Sequence, residues 1–230
     1  MKPEGNSLIS VGVIVALTGF SFSGPLGFLI VQVSGPQPAW VSPEVFAQNY
    51  KVSQNIPYYA GFLLVAGMLL LSAGHYISLT GENAKDRLNV LLSVLWTCIF
   101  SALISFNYIC QVSFIHHLAL QYKPEYDDAI STYSMSNPIS LCWATEMWGY
   151  GMLGVATWML SAFYRSKNRV ICLLLILNGI LSVACIAVTI IDTGWLLKGA
   201  GLIAYFTWNA LMIIVLILIY RYSKQRSVSK

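Results

Sequence analysis

Residues Val170–Ile191 read VICLLLILNGILSVACIAVTII, 22 positions without one charge. As a helix rising 1.5 Å per residue this stretch is about 33 Å long, enough to cross the ~30 Å hydrocarbon core of a bilayer. Reading outward finds five more runs of the same kind: Leu8–Val33, Pro57–Thr80, Leu88–Leu120, Ile139–Tyr164 and Gly199–Tyr220. They are too long and too uniformly apolar for the tilted strands of a barrel, and helices satisfy their own backbone in lipid. Composition agrees. Hydrophobic residues make up 57% of 230 positions, charged residues 10%, and the mean hydropathy is +0.68, whereas a soluble domain carries roughly a quarter charged residues. The expected fold is an all-α integral membrane protein, a bundle of about six transmembrane helices forming one polytopic domain over residues 1–230.

Two runs carry internal punctuation. Gly24-Pro25 lies within the first, where the missing amide hydrogen and the ring of proline predict a kink or a break. The third exceeds what a span requires, so its last part, Phe114 to Leu120, is expected to protrude or tilt into the interface. The first run is also too long for the apolar core of a secretory signal and ends without a small-x-small cleavage site, so it reads as an uncleaved helix.

Basic residues set the expected orientation. Six spans put the N-terminus, the loops after spans two and four, and the C-terminus on one side. That side holds Lys2, Lys85, Arg87, Arg165, Lys167, Arg169, Arg221, Lys224, Arg226 and Lys230; the other holds Lys51, Lys123 and Lys198. The split of ten to three predicts cytoplasmic termini. It also accounts for the net charge of +4, which therefore gives no reason to expect a nucleic-acid partner. Trp40, Tyr58, Tyr59, Trp195, Tyr220 and Tyr222 fit an interfacial aromatic belt. All five cysteines fall inside spans and read as small buried hydrophobes, with no disulfide framework. The segments Ser34–Ile56 and Gln121–Pro138 alone are long enough to form a cap.

Polar residues inside the spans fall in patterns. Asn178, Ser182, Cys185, Thr189 and Asp192 sit at offsets 0, 4, 7, 11 and 14, one narrow helical stripe amid Leu, Ile and Val. Lipid cannot satisfy such a stripe, so it is expected to face the bundle interior. Glu146, Tyr150, Thr157 and Ser161 share a face of span four, and Ser93, Thr97, Ser101 and Ser105 step by four along span three. Spans three to five are thus expected to line a common polar interior, although small residues of this kind also serve tight helix contacts.

Glu146 is the one acid well inside a span, seven residues from its outer end and roughly 10 Å deep at 1.5 Å per residue. A carboxyl there needs a proton or a partner. Candidates at similar depth are His116, His117, Gln111, Asn107, Asn209 and Lys198. Adjacent histidines on a helix diverge by about 100°, and the sequence lacks HExxH, HxxxH and ExxH pairs, so no metal is expected. There is no GxSxG elbow, P-loop or glycine-rich dinucleotide turn, and no mid-span lysine for a Schiff base; no cofactor is implied. The pairs Gly24/Gly27 and Gly151/Gly154 echo each other at different depths, too faintly to argue for inverted repeats.

Three function classes are compatible with this pattern. The bundle binds or carries a small molecule, ion or lipid, with Glu146, Tyr150, His116, His117, Asn178 and Asp192 as the candidate ligand-binding or proton-linked groups. Alternatively it is a lipid-modifying membrane enzyme using Glu146 and a histidine as acid and base, or a structural subunit whose polar residues tie helices together. The enzyme requires a histidine in one enclosed cavity with Glu146. The carrier requires a polar path along Ser182 and Asn178.

Overall fold

The computed structural model describes residues 3–79 and 83–228; Thr80, the expected end of the second span, and Lys2 and Lys230 of the basic side lie outside them. Helix accounts for 85% of the described residues. The first run forms α1 (Pro3–Ser23) and α2 (Pro25–Ser34), interrupted at Gly24: Pro25 has no amide hydrogen to give the carbonyl of Ser21. A short α3 (Pro43–Gln48) and a 3-10 turn (Val52–Asn55) lead into α4 (Ile56–Ile77). The third run is α5 (Ala84–Ile109), continued by a π-helical segment (Cys110–Ile115) and α6 (His116–Leu120). A 3-10 turn (Pro124–Tyr126) and α7 (Asp127–Tyr133) precede α8 (Leu141–Tyr164), α9 (Arg169–Ile191), a 3-10 turn (Trp195–Leu197) and α10 (Gly199–Val228). Helix starts follow local chemistry. Ser42, Asn83, Ser140 and Asn168 each accept a hydrogen bond from the amide three residues on, as good N-caps do, and proline opens α2, α3 and α4.

Among the described residues five helical stretches are long and apolar enough to cross a membrane: residues 4–34, 52–77, 84–120, 169–191 and 199–225. The fourth expected span, α8, has the length at 24 residues but carries Glu146, three tryptophans and three glycines. Its position explains the weaker hydropathy. It packs between α5 and α9, and fifteen of its residues are buried, so little of it needs to match lipid.

The start of α1 and the end of α10 lie at one end of the bundle. Ser10 near the start of α1 bonds Ser223 near the end of α10 at 2.8 Å, and His75 at the end of α4 reaches the Tyr164 hydroxyl at the end of α8 at 2.6 Å. The opposite end carries a cap. Phe46 of α3, Ile115, Leu118 and Ala119 of the α5 extension, and Ile130 of α7 form a small core there, flanked by Trp40, Tyr50, Tyr122, Tyr126 and Tyr133. The extension beyond Phe114 thus ends in protein rather than in the interface alone.

The most intimate contact is between α1 and α4. Gly5, Gly12 and Gly19 repeat every seven residues, two helical turns, and Gly67 and Gly74 repeat at the same interval on α4. A Cβ on Gly19 would lie 2.1 Å from the amide nitrogen of Leu64, one on Gly12 2.5 Å from that of Leu71, and one on Gly67 2.2 Å from that of Ala16. The two backbones touch, as small residues permit in membranes, where apolar burial between helices gains little over lipid. The sequence reading does not find this seam, although the heptad glycines are visible in it.

Two outcomes are expected. In a cysteine-free background, an impermeant maleimide should modify Val41→Cys and Asp128→Cys from one side of the membrane and Lys85→Cys and Ser166→Cys from the other; labelling of all four from one side would refute the topology. Gly19→Leu should separate α1 from α4 and lower stability by about 1–3 kcal/mol, the usual cost of overpacking, whereas Gly199→Ala, whose Cβ would meet nothing within 4 Å, should leave the melting temperature unchanged.

Candidate functional site

Glu146 sits five residues into α8, roughly 8 Å along its axis, and is 8% exposed. Two residues in the last turn of α5 hold its carboxyl. Asn107 Nδ2 donates to Oε2 at 2.6 Å, and the Tyr108 hydroxyl donates to Oε1 at 3.0 Å. Tyr150, one turn along α8, lies 3.1 Å from the Tyr108 oxygen. Because the Tyr108 proton is directed at Glu146, Tyr150 is the donor of that bond. The result is a chain of hydroxyls polarised toward the carboxylate, in which each bond strengthens the next. Both oxygens of Glu146 accept, and each keeps a lone-pair direction for a further donor.

The α5 side is itself braced. Gln111, in the π-helical segment, donates to Asn107 Oδ1 at 3.3 Å and to the Tyr133 carbonyl at 2.8 Å, and accepts from the Met135 amide at 3.0 Å. Asn107 also donates to Met135 Sδ at 3.2 Å. Gln111 thus ties the carboxylate's partner to the backbone after α7, and the π segment holds Asn107 and Gln111 in one network; π turns in α-helices recur at functional sites. Tyr108 owes its position to a glycine. Its ring packs against Tyr58 and Phe62 of α4 over Gly61, where a Cβ would come within 1.9 Å of the ring.

Glu146 lies on the wall of a cavity of about 590 Å³, bounded by α8, α9, α10 and the break between α1 and α2. That volume is in the range of small-molecule sites. The lining is largely apolar and aromatic. Its polar groups include Glu146, Tyr150, Ser182, Tyr205 and Asn209. The Ser182 hydroxyl and the indole nitrogen of Trp208, also on the wall, are buried with no hydrogen-bond partner among the described residues. At the capped end Met135, Trp195 and Leu196 contribute to the lining. Beyond Ser182 toward the termini the interior is filled. Asn178 donates to Thr157 at 2.8 Å, and Leu153, Leu160 and Leu175 are buried there.

The expected candidates separate in space. Glu146 and Tyr150 share the cavity. Asn178, Ser182 and Thr189 of the α9 stripe are buried, with Cys185 and Asp192 partly so, and of these only Ser182 and Cys185 reach the cavity. Asp192 forms an ion pair with Lys198, both partly exposed. His116 belongs to the cap: Tyr50 Oη lies 2.8 Å from its Nδ1, and Asn55 Nδ2 donates to the same hydroxyl at 2.8 Å. Burial pushes the Tyr50 phenol up to about 12, so the hydroxyl keeps its proton in this contact. His117 is exposed. The polar face of span three is used within the bundle: Ser72 donates to Thr97, which donates to the Ser93 carbonyl. The cavity accordingly lies between α8, α9 and α10, with α5 behind it, rather than between spans three to five. Tyr108, Gly61 and Trp208 escape the sequence reading. Only the matching depth of Tyr108 and Glu146 hints at the first.

Compared with protein families, curated proteins and solved structures, the chain matches none.

The hydrogen bonds to Glu146 are measurable. Tyr108→Phe should cost on the order of 1 kcal/mol, typical of polar contacts between membrane helices, and a double-mutant cycle with Glu146→Leu, which removes the acceptor, should show coupling of at least about 0.5 kcal/mol. Gly61→Ala should destabilise at least as much as Tyr108→Phe, because the added methyl displaces the ring. Additive effects in the cycle would mean that the pair does not interact.

Proposed function

We propose that this membrane protein binds a small molecule in the cavity between α8, α9 and α10, with Glu146 as the polar anchor. The observation that carries this reading is a carboxylate set on the wall of an apolar cavity of about 590 Å³, held by Asn107 and Tyr108. Among the described residues no Lys or Arg is paired with it; Lys198 is engaged by Asp192. Isolated charge in such a place is costly, and a ligand bearing a donor completes it. The cavity is blind toward the termini, where Asn178 and Thr157 bond each other, which favours binding or stepwise carriage over an open pore. Acid–base catalysis lacks its second group, since His116 is engaged by Tyr50 and His117 is exposed. The basic split of ten to three supports a cytoplasmic location for the end that bears the termini, and with it a cavity in the outer half of the membrane.

The test is thermal denaturation of the purified protein with a panel of lipophilic small molecules carrying cationic, hydroxyl, amide and anionic groups. At least one class should raise the melting temperature of the parent, a ligand at 100 times its Kd adding about 2.7 kcal/mol. The same compounds should leave Ala204→Trp, in which an indole fills the cavity, unshifted. No shift by any class, or equal shifts in parent and plugged variant, would exclude binding there.

A further inference from the structure

The chemistry of the wall and the place where it opens narrow the class of ligand, an identification that rests on the binding role proposed above. Leu181, Ala184 and Val188 of α9 and Ala200, Ile203 and Ala204 of α10 line the cavity and are also exposed on the outer face of the bundle. A residue that is both wall and outer surface marks an opening. Here it lies between α9 and α10, where the exposed neighbours are mostly apolar, among them Leu177, Ile180, Val183, Leu202 and Phe206, with Thr207 the exposed polar residue on the wall. The cavity therefore communicates with the hydrocarbon of the membrane.

Inside, six aromatic rings share the lining with the carboxylate: Phe20, Trp143, Tyr150, Trp195, Tyr205 and Trp208. Trp208 packs against Phe20 and Tyr150 at centroid separations of 5.4 and 5.3 Å, so these three rings form one continuous surface. Glu146 as a carboxylate accepts but cannot donate, and in an aromatic enclosure with no Lys or Arg among the described lining residues it is complementary to an organic cation. The carboxylate supplies the counter-charge, and the ring faces attract positive charge, more strongly when water is excluded. A hydroxylated ligand would use the free lone pairs of Glu146 but leave the ring quadrupoles idle. An anionic ligand would be repelled. We infer that the ligand is a lipophilic ammonium compound, a protonated amine with N–H to donate on an apolar body, taken up from the bilayer between α9 and α10 with its cationic head on Glu146 and its body along the aromatic wall.

The probes are dodecylammonium, dodecyltrimethylammonium, dodecanol and dodecanoate, with benzylammonium as a water-soluble amine. The protein is held in dodecyl maltoside micelles, whose headgroup carries neither charge nor amine, and binding is read from saturable change in tryptophan fluorescence. Dodecylammonium should bind about tenfold or more tightly than dodecanol, the worth of a charge-assisted hydrogen bond, and dodecanoate should not compete. Glu146→Gln should erase the preference for the amine over the alcohol without abolishing dodecanol binding. Ala204→Trp leaves the carboxylate and its partners in place and should abolish binding of every probe, a control that holds even if Glu146→Gln fails to fold. Dodecanol binding as tightly as the amine would overturn the ammonium assignment while sparing the cavity's binding role; benzylammonium binding as tightly as dodecylammonium would overturn uptake from the bilayer. Failure of all probes to bind saturably would overturn the binding role and this inference together.

Discussion

The bundle depends on the contact between the backbones of α1 and α4. Lipid chains are as apolar as leucine, so burying Ile9, Val13, Leu64 or Leu71 between helices gains little of what it would gain in water. What remains is van der Waals contact, and that grows with closeness. Glycines at heptad spacing remove the side chains that would hold two helices apart, and a Cβ at Gly12, Gly19 or Gly67 would intrude into opposing backbone. The antiparallel register is fixed by the same fit, because a slip by one residue would set branched side chains against each other where glycines now stand.

The site inherits its geometry from that seam. Because α4 is held to α1 on one face, its other face, bearing Tyr58, Gly61 and Phe62, is a fixed floor for the Tyr108 ring. Tyr108 in turn fixes one oxygen of Glu146, and Asn107 fixes the other. At its far end α1 brings Phe20, Ser23 and Gly24 to the cavity wall, and the break at Gly24-Pro25 falls at that depth. The proline break is thus a wall element: Asn209 Oδ1 lies within 2.6 Å of where a Cβ on Gly24 would stand.

The fold was legible from the sequence because it follows from solvent. Runs of some twenty apolar residues have one stable form in hydrocarbon. Position within the bundle was not. The weak hydropathy of α8 is a consequence of its being surrounded by protein, and no single-helix pattern says so. Asn178, Ser182 and Thr189 of the α9 stripe are buried as expected while Asp192 ends the helix against Lys198, and the buried members diverge in role, since Asn178 bonds Thr157 while Ser182 reaches the cavity. Depth counting placed Asn107 beside Glu146 but placed His116 there too. Counting along an axis cannot register that the α5 extension rises into the cap, where Tyr50 takes the imidazole. The π segment carries neither proline nor glycine and leaves no trace in the sequence.

The two halves of the interior differ in a way that bears on function. Toward the termini polar side chains are turned on one another: His75 bonds Tyr164, Ser72 bonds Thr97, Asn178 bonds Thr157, and large apolar groups fill the rest. Toward the cap the bundle keeps about 590 Å³ open beside a carboxylate with spare lone pairs and an indole nitrogen without an acceptor among the described residues. In a membrane, where cohesion comes from packing and satisfied polar groups, a void and an under-used carboxylate each weaken the bundle. Closing it would require only larger side chains at Ala184, Ala200 or Ala204, where small ones stand on the wall. Their coincidence at one place, opening onto lipid between α9 and α10, is the arrangement expected when the missing cohesion is supplied by an occupant rather than by the chain itself.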